Sequence, residues 1–230
     1  METSSTKPII IEFFGTPGCG KSTTSNFLKE KLEGRGFKCF RSYYKNDFFK
    51  NKCVKMFMPL NFRLLYNLFR FSIKQKKIVE TFPGILAVCQ YNQMYRMFSS
   101  KYEGENNVLV IDQGIIQGFL SIAHLNNFNN LKDVVAILNT LNISPFQYVV
   151  VYCNVLPETS MRRLKKRQQQ NGRLDKLDGK ELFQAICVQY ENTKNIYKEL
   201  VEYDRLKLLE INMEDDVIKN VDIILETICN

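Results

Sequence analysis

Nine residues near the start of the chain have the types and spacing needed to hold a phosphate chain: Gly15, Thr16, Pro17, Gly18, Cys19, Gly20, Lys21, Ser22 and Thr23. The pattern is G-x-x-x-x-G-K-S, which reads as a phosphate loop when a strand precedes it and a helix follows. Both flanks are present. Ile9–Phe14 is an apolar run around one acid, Glu12, and Asn26–Leu32 is rich in good helix formers. The glycines allow backbone angles closed to other residues, so successive N–H groups can turn inward onto phosphate oxygens. A helix starting at about Lys21 adds its unpaired N–H groups and the positive end of its dipole. Lys21 is then expected at the β- and γ-phosphates, and the Ser22 hydroxyl on magnesium. The bland alternative is a glycine-rich turn before a helix; the motif with both flanks argues against it. The expected ligands are ATP and Mg²⁺.

Two further segments fit that chemistry. Val108–Ile111 is an apolar run ending in Asp112. A carboxylate at a strand end of this kind faces the bound magnesium, so Ser22 and Asp112 form the expected metal site. Later, Leu156–Arg167 carries Arg162, Arg163, Lys165, Lys166 and Arg167, and leads into a polar segment with Gly172, Arg173 and Asp178. One reading is a lid over 162–178 that brings guanidinium groups onto a transferring phosphate and excludes water. The other is a basic, solvated helix end that complements the helix dipole.

The elements that must position these groups follow from periodicity and punctuation. Strands are predicted at Ile9–Phe14, Phe37–Tyr43, 108–111, 147–153 and 207–211. The first is apolar enough for a central strand buried on both faces. Helices are predicted at Lys21–Arg35, 59–77, about 85–100 after the Pro83-Gly84 break, two within 115–142, one opened by Pro157, and about 215–228. Strands alternating with helices imply an α/β fold, a three-layer P-loop NTPase architecture with a five-stranded, mostly parallel sheet and a helical insertion. The 230 residues suit a single domain, with 45–105 as a helical, basic insertion on the acceptor side. Ligands are expected beyond the carboxyl ends of the strands, where Gly15–Ser22, Tyr43–Asp47 and Asp112 converge.

Composition narrows the partners. There is no charge-free apolar run of about eighteen residues, and Met1–Lys7 lacks the layout of a signal peptide. The seven cysteines are scattered without a C-x-x-C pair, and His124 has no metal-binding company. A cytoplasmic protein with reduced thiols is expected, with Cys19 as the thiol whose alkylation would block nucleotide. The net charge is +8, and residues 45–80 account for +7 of it, with nine Lys/Arg against Asp47 and Glu80. A local basic patch points to an anionic partner at one place. Within it, Arg63, Asn67, Arg70, Lys74 and Lys77 share one helical face, and Leu60, Leu64, Leu68 and Phe71 another. That helix reads as an ordinary surface helix, an acceptor-binding surface, or a helix lying on an anionic membrane. The next helix carries Gln90, Tyr91, Asn92, Gln93, Tyr95 and Arg96, which line either a polar pocket or a solvated face.

On these residues the chain resembles the thymidylate kinase family of P-loop nucleotide kinases. The phosphate loop matches, as does Leu156-Pro157-Glu158 leading into the lid helix. Arg163 and Arg167 fall on the family's two spaced arginines, Asp175-Lys176-Leu177-Asp178 is similar to its D-R-x-E element, and Phe183 and Tyr190 fall on aromatic positions. The match covers about 9–35 and 147–229, with Asp112 between. The resemblance implies that Arg163 or Arg167 contacts ATP or its transferring phosphate. It also implies that the segment around Asn212–Met213 lies beside the adenine, and that Arg96 meets the acceptor. Two motifs depart from the family. Asp112-Gln113-Gly114 replaces an Asp-Arg pair whose arginine holds the acceptor's phosphate, and Tyr43–Asp47 replaces an acidic Pro/Gly motif.

The donor half is therefore retained and the acceptor half altered. The expected activity is ATP-dependent transfer of the γ-phosphate to an anionic small-molecule acceptor, of nucleoside- or nucleotide-kinase type. Its catalytic residues would be Lys21, Asp112, Arg163 and Arg167. A phosphate acceptor needs no base; a hydroxyl acceptor would be assisted by Asp112 or Asp47. Two alternatives rank below it. One is a regulatory ATPase acting on a protein partner through 59–77. The other is a nucleic-acid end kinase using Tyr43, Tyr44, Phe48 and Phe49 among lysines. A homodimer and a peripheral membrane contact through 59–77 complete the expected partners.

Overall fold

The apolar run after Pro8 forms strand β1 (Ile9–Gly15), and all of it is buried. In this computed structural model the described residues are 7–41, 62–74, 78–102, 104, 106–123, 137–141, 143, 145–167, 174 and 177–229. Around β1 lie β2 (Lys38–Arg41), β3 (Asn107–Ile111), β4 (Gln147–Asn154) and β5 (Lys207–Asn212), in the order β2-β3-β1-β4-β5. Every pairing is parallel. The prediction of a mostly parallel sheet holds in the stronger form of a fully parallel one. Its central strands are almost wholly apolar in their interiors, Glu12 of β1 excepted, because both faces are covered.

The two faces carry different cores. Ile9, Ile11 and Phe13 point to one side, where they pack with Leu28 and Leu32 of α1 (Lys21–Gly34) and with Val221, Ile224 and Leu225 of α7 (Val217–Cys229). Ile10 and Phe14 point to the other side. There they meet α2 (Phe62–Lys74), α3 (Ile78–Lys101), α4 (Ile115–Ala123) and the end of α6 (Gly179–Val201). A small third cluster joins α5 (Pro157–Lys165) to α6 through Leu164, Leu174, Leu182 and Ile186. It fixes the root of the basic segment to the body of the protein.

Two expectations are corrected here. The helix predicted from about residue 85 begins at Ile78 and runs through Pro83-Gly84. Pro83 sits in the second turn, where it removes one backbone bond. Burial of Ile85, Val88, Met94, Tyr95 and Phe98 offsets that loss. The same burial corrects the polar-pocket reading, because Tyr91, Asn92 and Tyr95 are core residues. On α2, Leu64 and Leu68 are buried and Arg63 and Arg70 exposed, as their spacing predicts. The opposite edge of α2 is not polar, however: Phe62 and Tyr66 are 76% and 65% exposed, and Ile73 joins them. No described helix is long and apolar enough to cross a membrane. Residues 42–61, 124–136 and 168–173 lie outside the described residues, and with them Tyr43–Asp47, His124 and Arg173.

Candidate active site

The turn between β1 and α1 has the geometry of a phosphate cradle. Gly20 precedes the helix in a left-handed conformation, and no side chain caps the first turn. The leading N–H groups of α1 therefore stay open to a ligand. Gly18, at φ +79°, is required twice over. The angle disfavours other residues, and a Cβ there would sit 2.8 Å from the Ser160 carbonyl oxygen and from Leu164. The loop is thus pressed against α5.

Lys21 is buried, and its ammonium donates to the carbonyls of Gly15 and Thr16, both at 2.9 Å. It also lies 3.4 Å from the Cys19 sulfur. Cys19 is fully buried beside Cys153. Burial alone would push its thiol up, but the Cys153 hydrogen bond and the Lys21 ammonium outweigh that and bring it down to about 6. The expectation that alkylating Cys19 would block nucleotide is corrected: the sulfur faces the interior, where a reagent in the cleft does not meet it.

At the far end of the loop Ser22 Oγ donates to Asp112 Oδ2 at 2.7 Å. Asp112 follows β3, which lies next to β1 in the sheet, so residues ninety positions apart in sequence meet. Arg41, at the end of β2, places a guanidinium nitrogen 3.7 Å from the same carboxylate oxygen. A hydroxyl and a carboxylate beside a phosphate cradle fit magnesium, which takes few protein oxygens and completes its shell with phosphate oxygens and water. Among the described residues no group of three or more His, Cys, Asp and Glu is placed to hold a metal. An all-protein metal cage therefore has no support among those residues.

Arg163 reaches from α5 to Cys19 O and Met213 O, both at 2.8 Å. It ties the phosphate loop to the segment after β5. Thr16 and Ser160 add a second tie, hydroxyl to hydroxyl at 3.0 Å. Arg167 lies further along, exposed at the rim of the same cleft. Asp178 caps α6 by accepting from the Gly179 amide at 2.6 Å, which gives it a structural role. Replacing Arg163 with alanine removes two charge-assisted hydrogen bonds, worth about 1.5–3 kcal/mol each. The expected result is a lower melting temperature and about tenfold weaker nucleotide binding, read by calorimetric titration. Lysine should restore little, because one ammonium cannot span both carbonyls as the guanidinium fork does.

These groups border a cleft of about 1080 Å³. One end lies between Met213, Asp216 and Asn220, the middle is the loop with Lys21 and Ser22, and the other end holds Gln113, Gln117, Leu120 and Ser121. Gln90, Tyr91, Asn92, Gln93, Tyr95 and Arg96 are not part of its lining.

The sequence reading missed three residues. Arg41 was hidden because a strand-end arginine has no signature. Gln117 accepts the Gly15 N–H through Oε1 at 3.2 Å and so clamps the loop from α4. Glu12 was visible only as a lone acid in an apolar strand. It is wholly buried, takes four hydrogen bonds, and lies beneath Gly114.

Comparison of the sequence with protein-family models and with curated proteins finds no match. Solved structures do match. Deoxyadenosine kinase from M. mycoides with bound dATP is 21% identical, with a TM-score of 0.53 over 96% of this chain and all of that one. The same enzyme with bound dCTP gives 21% and a TM-score of 0.50, over 95% of this chain and 97% of the other. At this identity the likeness establishes the fold.

Proposed function

We propose, from a five-stranded, fully parallel α/β fold shared with two solved deoxyadenosine kinase structures, an ATP-dependent phosphotransferase of the nucleoside-kinase type. The observation that carries the proposal is the Ser22–Asp112 pair at the mouth of a complete phosphate loop. The cradle of loop amides and α1 would hold the triphosphate. Ser22 and Asp112 would hold magnesium, which supplies charge neutralisation on the phosphates. Lys21 would exchange the Gly15 and Thr16 carbonyls for phosphate oxygens. Arg167, at the rim, would close over the transferring group. Arg163 would act as a brace for the loop and as the wall beside the base, near Met213.

The acceptor would lie at the Gln113–Ser121 end. Gln113, Gln117, Leu120 and Ser121 carry no charge, which supports a hydroxyl-bearing, nucleoside-like acceptor over the anionic one expected from the basic segment. The named activity of the structural neighbours agrees with that choice. Such a hydroxyl needs help in losing its proton, and of the two candidate carboxylates, Asp112 and Asp47, Asp112 is the one among the described residues. Thymidylate-type transfer to a nucleoside monophosphate is the second reading, and the observation in its favour is Arg41, a cation beside Asp112. A thermal-shift screen with a non-hydrolysable ATP analogue separates the two. A ligand at a hundred times its Kd adds about 2.7 kcal/mol to stability. Nucleosides are expected to raise the melting temperature beyond the analogue alone, and nucleoside monophosphates to add less. The reverse order would favour the second reading.

A further inference from the structure

We infer that Glu12 is a positioning residue for the Ser22–Asp112 pair, acting through the first turn of α4. The inference rests on the reading of that pair as the magnesium site. Glu12 lies in β1, in register with Ile111 of β3, one residue before Asp112. It occupies a core position between Ile10 and Phe14, where an apolar side chain would be expected. A buried carboxyl is costly unless its oxygens are satisfied, and these are. Oε1 accepts the Ile116 N–H at 2.6 Å and the Gln117 N–H at 3.3 Å. Oε2 accepts the Tyr95 hydroxyl at 2.8 Å and the Tyr148 hydroxyl.

The two amides are the second and third of α4, which have no partner within the helix. Glu12 therefore caps α4 from a distant strand and faces the positive end of its dipole. This fixes the turn Asp112-Gln113-Gly114 from below, and with it both functional side chains on either side of the turn. Asp112 is held against Ser22. Gln117 is held with Oε1 on the Gly15 amide. The glycine at 114 has the same cause: a Cβ there would lie 2.4 Å from the Glu12 carboxyl carbon and 2.4 Å from the Tyr95 oxygen. Glu12 and Gly114 thus belong to one device that joins the phosphate loop to the acceptor-side helix. Tyr95 extends it to α3 and Tyr148 to β4.

The test separates metal-dependent from metal-free nucleotide binding. Binding of a fluorescent, non-hydrolysable ATP analogue is measured with and without Mg²⁺ for the wild type, Glu12→Ala, Glu12→Gln, Tyr148→Phe, Gly114→Ala and Asp112→Asn. Groups that orient a metal's ligands cost about 10–100-fold in metal affinity when removed. Glu12→Ala and Gly114→Ala are expected to lose about tenfold or more of the affinity gained with Mg²⁺, a larger loss than in metal-free binding, where only the Gln117 clamp on Gly15 is loosened. Glu12→Gln and Tyr148→Phe keep most of the network and should lose about threefold. These two decide the matter if Glu12→Ala does not fold. Wild-type Mg²⁺ gain in both, or equal loss with and without metal, would overturn the inference. Asp112→Asn separates the two levels. If it keeps the Mg²⁺ gain, the metal reading fails; if it loses the gain while the Glu12 variants keep it, only the role of Glu12 fails.

Discussion

Lys21→Ala is expected to lower ATP-dependent phosphoryl transfer by about 10²–10³-fold, the range for removing one preorganised group that stabilises transition-state charge. The protein should still fold. The ammonium is bound within the loop, on the carbonyls of Gly15 and Thr16, and it borders the cleft. Water can replace it there, so the truncated loop is not left with sealed, unsatisfied carbonyls. The helix that carries it is held by Leu28 and Leu32, which are fully buried and untouched by the change. Turnover and a thermal melt, measured on one preparation, check both halves. Unchanged turnover would overturn the phosphate-loop assignment, and a lost melt would show that Lys21 is chiefly structural.

Asp112→Ala carries the second large effect. It removes the carboxylate that accepts from Ser22 and faces Arg41. The guanidinium of Arg41 then leaves net positive charge where a divalent cation should sit, so Mg²⁺ binding is opposed as well as unsupported. Turnover is expected to fall by about 10²-fold or more at ordinary Mg²⁺. Raising Mg²⁺ should recover the part of the loss that lies in metal affinity and leave the part that lies in taking the acceptor's proton. A Mg²⁺ titration of turnover in wild type and variant therefore distinguishes the two duties. Activity that is insensitive to the substitution would remove Asp112 from the site.

The glycine-rich loop between β1 and α1 was legible in the sequence for a physical reason. A phosphate chain needs glycine at positions of unusual φ, such as Gly18, and an ammonium and a hydroxyl at the start of the next helix. Type and spacing together therefore carry the information. The strands were legible because both faces of β1, β3 and β4 are covered, which demands apolar runs, broken in β1 by Glu12 alone. Pro83-Gly84 misled because local punctuation yields when a long helix buries a face as apolar as that of α3. Tyr91 and Tyr95 misled because an aromatic hydroxyl looks polar in a sequence yet belongs in the core when it has a partner, as Tyr95 does in Glu12. Arg41, Gln117 and Glu12 act through contacts between residues far apart in the chain. No local pattern encodes such contacts; the pairing of β3 with both β1 and β2 creates them.

The most direct test of the account is transfer of label from γ-labelled ATP, with Mg²⁺, to a panel of nucleosides, nucleoside monophosphates and phosphorylated sugars. A labelled product from a nucleoside hydroxyl is expected with the wild type and none with Lys21→Ala. Hydrolysis of ATP without labelling of any acceptor in the panel would contradict it.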